Sequence, residues 1–307
     1  VIPTKDRETR LAFALEGLAR QTLDAALFEV IVVRARERGA LAAAPAGLRC
    51  RFLGLPGSTG AGAQRNRGWR EAQAPLVVFT DDDCRPAPDW LERMLMCARE
   101  RPGRILQGRT EPDPDERRLL HGLARSISIT GPSAWYETCN IAYPRELLER
   151  LGGFDEGFPG AWGEDTDLAL RALELGAEVH YADAALVWHA VNPRSLGRAL
   201  TEAFSRDTVP AVVSRHPRQR SALYLGLFAR HAHGRLLLAA LGAATLRRRP
   251  ALALLLAAPY ASRYRNRERG LRGQLRGFMQ LPARIPVDAA EVVAMARASI
   301  RHRTLVL

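Results

Sequence analysis

Apolar and polar positions along the first two thirds of the chain alternate between two periods. Val1-Ile2-Pro3 closes a buried strand, and Leu11, Leu15 and Leu18 then recur at helical spacing. Phe28–Val33 is a compact β-branched run bounded by charge and predicts a second strand, with a weaker one over Leu48–Leu55. Pro56–Gly62 is a glycine-rich loop, and the segment beyond it is helical through Trp69 and Ala72. Leu76–Thr80 (LVVFT) is the clearest buried strand and runs straight into Asp81-Asp82-Asp83. Trp90–Arg99 predicts a helix, Ile105–Thr110 a strand, Glu111–Arg118 a loop and Asn140–Tyr143 a short strand. Arg145–Leu151 is a helix ended by Gly152-Gly153, and Asp165–Leu175 is one ended by Gly176. Glu178–Tyr181 and Ala185–Trp188 are short strands.

This alternation implies a mostly parallel α/β sheet, whose ligands sit at the carboxyl ends of strands. The Asp run lies at such an end. Beyond about residue 200 the pattern turns helical and rich in arginine. Leu236–Leu246 and Ala251–Ala261 are apolar runs split by Arg247-Arg248-Arg249-Pro250. Each is shorter than the ~20 residues of a transmembrane helix. They suit helices lying on a membrane surface, or a shallow hairpin, and equally two buried helices of a small subdomain.

Composition sharpens the division. The 307 residues, 47% hydrophobic and 25% charged, are those of a globular protein with room for two structural units. The net charge of +12 is uneven: residues 201–307 hold 19 Arg against 5 acids, so the first 200 are nearly balanced. A basic tail suits phosphate, an anionic membrane face or nucleic acid, or is a solvated helical surface. It has no recognised nucleic-acid motif and little aromatic interleaving, so no nucleic-acid partner is expected. Cys50, Cys84, Cys97 and Cys139 form no C-x-x-C pair, which excludes zinc-ribbon and thioredoxin readings. Scattered thiols point to a reducing compartment. The chain starts at Val1 inside an apolar run, as a trimmed one would, with no secretory signal at that point.

Four places carry candidate chemistry. Three adjacent carboxylates at a strand end repel one another unless neutralised, and oxygen ligands suit Mg²⁺ or Mn²⁺; a solvated acidic turn is the alternative. In Trp162-Gly163-Glu164-Asp165-Thr166-Asp167 the acids stand at a helix start, where the dipole favours them. One of them can act as a base, or they are caps. His189 becomes a metal ligand only if the fold brings it to the Asp run. Arg65, after the glycine-rich loop, suits a nucleotide phosphate or base edge, although no P-loop pattern is present.

Taken in order, Val1-Ile2-Pro3-Thr4-Lys5-Asp6-Arg7, Glu29–Val33, Gln64-Arg65-Asn66-Arg67-Gly68, Phe79–Cys84, Cys139-Asn140-Ile141-Ala142, Gly152–Glu156, Gly163–Leu168 and His189 resemble the family 2 glycosyltransferases over roughly residues 1–215. The resemblance implies a GT-A fold, a Rossmann-like mixed α/β nucleotide-binding sheet flanked by helices, over 1–215. A basic helical extension then occupies 216–307. It implies inverting, metal-dependent transfer of a single sugar from a nucleotide donor, with UDP-sugar the first expectation. The acceptor hydroxyl would belong to a cell-envelope or lipid-linked glycan, reached from the cytoplasm at the inner membrane face through peripheral contact. Asp81 and Asp83 resemble the D-x-D metal pair, with His189 completing it. Pro3, Thr4, Arg7, Arg65, Asp81 and Asp82 would line the donor site. Asp165 resembles the base, supported by Glu164, and Asn140, Trp162 and Gly163 would meet the acceptor.

Two departures bear on this. Where the family has an acid after its second strand, the chain reads Arg34-Ala35-Arg36-Glu37-Arg38-Gly39, which puts the uridine preference in doubt. Gln274-Leu275-Arg276-Gly277-Phe278 does not match the Q-x-x-R-W signature of processive synthases, favouring single addition. The alternatives are a degenerate family member, a basic nucleic-acid module, and a sugar-phosphate nucleotidyltransferase. The last expects a glycine-rich signature after the first strand, where Pro3–Arg7 stands.

Overall fold

The computed structural model describes residues 1–35, 43–120, 122–158, 162–204, 208–263, 275 and 277–307. Two compact units divide the chain: 1–120 with 125–192, and 121–124 with 193–307.

The first unit is a mixed α/β sheet flanked by helices. β1 (Ile2–Thr4), β2 (Val30–Ala35) and β3 (Cys50–Leu55) run parallel in the order β1-β2-β3. A second group has the order β4-β7-β6-β8-β5, formed by β4 (Leu76–Thr80), β5 (Cys84–Pro86), β6 (Ile105–Pro112), β7 (Asn140–Pro144) and β8 (Val179–His189). Val1 joins the groups: its nitrogen donates to Val78 O at 2.8 Å and its carbonyl accepts from Thr80 N at 3.3 Å. The expected mostly parallel sheet is corrected in the second group. There β4/β7, β6/β7 and β5/β8 are antiparallel and β6/β8 alone is parallel. Antiparallel neighbours need no crossover connection, so a strand pattern alone does not fix their direction.

Both faces are covered, which is why β2 is buried throughout and, apart from Arg34, apolar without alternation. One core packs Leu11, Leu15 and Leu18 of α1 (Glu8–Ala19) and Trp90 and Met94 of α3 (Trp90–Glu100) against Ile2, Val32, Leu106 and Val187. The other packs Trp69 of α2 (Ala61–Glu71), Leu147 and Leu148 of α4 (Arg145–Leu151) and Leu168 and Ala172 of α5 (Glu164–Glu174) against Ile31, Val33, Phe79 and Ile141. The two short strands expected near residues 178–188 are one strand, β8, carried through an irregularity in its pairing between Gly108 and Arg109 of β6. The Glu111–Arg118 loop is the end of β6 followed by a 3₁₀ turn over Pro114–Leu119.

The second unit is helical. Its helices are α6 (Leu196–Phe204), α7 (Thr208–Arg215), α8 (His231–Thr245), α9 (Pro250–Arg263) and α10 (Leu281–Arg301). In this division the helical unit takes in the chain from residue 193. Ala199 and Ala203 of α6 form a core with Val287 and Ala290 of α10, which places α6 in the helical unit. α8 and α9 form a hairpin split by the three arginines; at Gly242 an added Cβ would lie 2.9 Å from Ala253 O. No helix among the described residues is long and apolar enough to cross a membrane.

Candidate active site

The carboxyl ends of β1, β4 and β8 lie on one edge of the first unit and carry Thr4, Asp81–Asp83 and His189. The register places Cys84 opposite His189 and Thr80 opposite Asn140. The three aspartates point in different directions. Asp81 Oδ1 accepts from Arg65 at 2.8 Å. Asp82 is fully buried and turned inward, accepting from Thr4 Oγ1 at 2.6 Å and pairing with Arg7 at 2.8 Å. Burial outweighs the help of Arg7 and pushes the Asp82 carboxyl up to about 7. Asp83 accepts from Arg7 at 2.6 Å and lies 3.7 Å from His189 Nε2.

His189 makes the geometry informative. Its Nδ1 lies 2.8 Å from Ala190 O, an acceptor only, so Nδ1 carries a proton, and in the neutral imidazole Nε2 presents a lone pair. That lone pair faces an Asp83 oxygen beyond hydrogen-bonding distance, an arrangement a shared cation stabilises. A backbone carbonyl orienting the far nitrogen is the usual support of a metal-binding imidazole. Ligand atoms of Asp83, Cys84 and His189 all lie within 4.8 Å of one another. Asp83 and His189 suit a divalent ion, whereas burial and the neighbouring Cys139 push the Cys84 thiol up, so it keeps its proton and does not serve Mg²⁺ or Mn²⁺.

A second acidic group stands at the start of α5. Gly163 adopts φ 101°, a conformation that strains any residue with a Cβ, and turns the chain so that Glu164 and Asp165 open the helix. Glu164 is buried and accepts from Arg65 at 3.0 Å. Arg65 thus bridges the two acidic groups. Burial alone would lower its pKa, but Asp81 and then Glu164 outweigh that and raise it. Burial, reinforced by the Glu164 charge and opposed by Arg65, pushes Asp165 up to about 8. Glu137, absent from the expected site, lies near enough for Asp165 to feel its charge. Nothing in its sequence neighbourhood flagged it.

The remaining expected residues separate. Pro3 is buried within β1, while Thr4 N donates to Gln64 Oε1 at 3.0 Å and Arg7 stands half exposed over the Asp run. Arg65, expected on the nucleotide, gives its two terminal nitrogens to Asp81 and Glu164, while its Nε is buried without a partner. Trp162 is partly exposed beside the α5 start, with Arg125 4.1 Å over its ring. Asn140 requires correction. Its amide accepts from Trp90 Nε1 of α3 at 2.8 Å and donates to Arg109 O of β6 at 2.7 Å and Ala185 O of β8 at 2.9 Å, so it ties α3 and the neighbouring strands together rather than facing an acceptor. Arg34 is buried, 3.2 Å from Glu8 and 4.1 Å over the Phe52 ring. The rest of that departure, 36–39, lies outside the described residues, as do 274 and 276 of the absent processive signature.

This site on this sheet defines the class. The family model Glycosyl transferase family 2 matches residues 1–154, and the chain belongs to that family. The match spans the Asp run and stops short of Asp165 and His189. The chain is 28% identical over 215 residues to a validoxylamine A glucosyltransferase of Streptomyces hygroscopicus subsp. limoneus, covering 56% of this chain and 46% of that protein. It is also 28% identical over 182 residues to a pre-mycofactocin glycosyltransferase of Mycobacterium tuberculosis, covering 55% and 38%. The chain therefore spans less than half the length of these curated relatives. Among solved structures, the mannosyltransferase PcManGT from Pyrobaculum calidifontis, in complex with GDP-Man and Mn²⁺, aligns with TM-score 0.61 at 19% identity over 97% of this chain and 85% of that one. TarS 1-349 of S. aureus in complex with UDP aligns with TM-score 0.52 at 16% identity over 99% and 91%. The fold is GT-A with a helical C-terminal region.

Proposed function

We propose that this chain transfers a single sugar from a nucleotide-sugar donor to an acceptor hydroxyl, with inversion and with a divalent cation at Asp83 and His189. The observation that carries the reading is His189 Nε2 facing Asp83 at 3.7 Å. Family membership and a neighbour bound to GDP-Man and Mn²⁺ support it. When bound, Mn²⁺ or Mg²⁺ supplies positive charge for the departing diphosphate. Asp81 and Asp83 would hold it together with His189, while Asp82 positions the run by fixing Thr4 and Arg7. Asp165 takes the proton of the acceptor hydroxyl as that oxygen attacks the anomeric carbon. Arg65 holds Glu164, and so the α5 start, at a fixed place relative to Asp81. Nucleotide release would be measured with Mn²⁺ or Mg²⁺ across UDP-, GDP- and dTDP-sugars. Loss of release in both Asp83→Ala and Asp165→Asn is expected, and activity surviving both changes would sink the assignment.

A second feature supports work at an anionic membrane. The α8–α9 hairpin exposes Leu238, Leu241, Leu254 and Leu255, and no acid occurs between Asp207 and Glu268. Arginines at its turn would resist burial in hydrocarbon, so the hairpin would lie flat in the headgroup region. Co-sedimentation with phosphatidylglycerol vesicles, lost in Leu241→Ser/Leu254→Ser, is expected. Equal recovery of parent and variant with the vesicles would exclude this mode.

A further inference from the structure

At the end of β8 the chain runs past Asp83 over residues 189–192, and its backbone groups there are held by their surroundings. His189 O accepts from Asp113 N at 2.9 Å and from Ser126 Oγ at 3.0 Å. Ala190 N donates to Asp83 O at 2.8 Å. Asn192 pairs with Arg125 in both directions, at 2.8 and 3.0 Å. Between these holds lies the peptide joining Ala190 to Val191. It is trans, so its C=O and N–H point opposite ways from one rigid plane. The oxygen faces His189 Nδ1 at 2.8 Å. The N–H of buried Val191 donates to Glu116 Oε2 at 2.8 Å, across 75 positions of sequence. Glu116 stands on the 3₁₀ turn after β6, and its other oxygen pairs with Arg10 of α1.

We propose that Glu116 is a positioning residue for His189, acting through this one peptide plane. The proposal rests on the cation reading above and names what aims its imidazole. A peptide plane can turn about ψ of Ala190 and φ of Val191 while its neighbours stay in place. Holding the N–H therefore fixes the direction of the carbonyl. The carbonyl in turn fixes the ring whose Nε2 faces Asp83 at 3.7 Å. The carboxylate also polarises the amide it grips, which makes the carbonyl a stronger acceptor of the Nδ1 proton. A stronger acceptor there makes Nε2 the better ligand. Ser126 Oγ, also near Nδ1, is farther at 3.4 Å and spends its hydrogen on His189 O. Removing Glu116 would leave a buried N–H without its acceptor, and the plane would turn to find another.

Two measurements on the full chain test this. The first needs no metal. Labelling histidine with ¹⁵N reads the His189 ring at a pH where it is neutral, its signals identified by their loss in His189→Gln. The parent should show the Nδ1–H tautomer. Glu116→Ala should move both ring nitrogens towards averaged values. Glu116→Asp should do the same, since it keeps a carboxylate for Arg10 but falls about 1.5 Å short of Val191 N. Either variant suffices where the other fails to fold. The second measurement is Mn²⁺ binding by calorimetry. Losing a group that orients a metal-binding imidazole costs about 10–100-fold in affinity, so both variants should bind at least about tenfold more weakly. Placed on His189→Gln, the same changes should weaken what binding remains no further. An unchanged His189 ring in a folded variant, or an equal loss of affinity with and without His189, would overturn the proposal. Mn²⁺ bound equally by parent and variants removes the positioning alone. Altered ring signals with no Mn²⁺ bound by the parent remove the cation reading and leave the positioning.

Discussion

Two acidic groups stand on one edge of the sheet, and they are neutralised in opposite ways. Asp81, Asp82 and Asp83 are answered by Arg7, Arg65 and the Thr4 hydroxyl. In the second group Glu164 takes the other arm of Arg65 and keeps one oxygen unpartnered, Glu137 accepts from Gln107, and Asp165 accepts from Thr166 N. Of the first group's partners, Arg7 is half exposed and replaceable, which suits a site that exchanges a guanidinium for an ion. The second group is met mainly by neutral donors, and burial holds the Asp165 carboxyl up, which suits a site that waits for a proton.

The largest break in that comparison removes Asp165. General base catalysis contributes ~10²–10⁴-fold, so Asp165→Asn should lower kcat by that order while nucleotide binding persists. With its carboxyl held up to about 8, the parent's kcat/KM should climb with pH towards that value. Stability should move the other way. A carboxyl whose folded pKa is raised binds its proton more tightly folded than unfolded. Its destabilisation is therefore absent below the ordinary carboxylate range and grows up to about pH 8, by at most ~1.4 kcal/mol per pH unit. Thermal melts should thus find Asp165→Asn gaining on the parent at alkaline pH and matching it in acid. A gap independent of pH would show that Asp165 is not held protonated.

Next is the bridge between the groups. Arg65→Met leaves Asp81 and Glu164 without their shared cation, and breaking a buried pair from one side costs ~3–5 kcal/mol. Urea unfolding should register that loss. Adding Glu164→Gln should restore part of it, because the second charge no longer needs a partner. Additive losses would mean the two side chains are not coupled.

The site was legible where chemistry follows from position along the chain. LVVFT followed by three acids marks a strand end, Gly163 followed by two acids marks a helix start, and His189 closes a strand. Direction and partnership were not legible. Neighbouring aspartates in a turn diverge, so nothing in the sequence tells that Asp82 turns inward. Arg65 meets Glu164 across 99 positions, a pairing created only by folding. Asn140 misled because a polar residue in a motif-like segment reads as a binding group, whereas here it meets the hydrogen-bonding needs of three strands and a Trp. The antiparallel return of β7 was hidden in the same way, since periodicity marks strands but not their direction.

Asn140 supplies the next test. Asn140→Ala would orphan the buried Trp90 Nε1 and two carbonyls, at ~1–3 kcal/mol for a buried group left unsatisfied. A lower melting temperature with the acceptor KM unchanged is expected. A raised acceptor KM at unchanged stability would return Asn140 to the acceptor site.

The smallest expected effect probes the exchange proposed for the Asp run. Arg7 reaches Asp82 and Asp83 from a half-exposed position, where an ion pair contributes ~0–1 kcal/mol. If Arg7 stands in for a cation on Asp83, a metal must displace that contact to bind fully. Arg7→Gln should then strengthen the apparent Mn²⁺ affinity by only a fewfold, the ratio that such an energy permits. The same variant leaves inward-turned Asp82 with Thr4 alone, so a small loss of stability should accompany the gain. Mn²⁺ titrations of parent and variant, followed by the thermal shift each ion concentration induces, read both effects without requiring turnover. Weaker Mn²⁺ binding in Arg7→Gln would mean that the arginine positions Asp83 for the ion rather than competing with it, and the contrast between an exchangeable and a waiting acidic group would lose its first half.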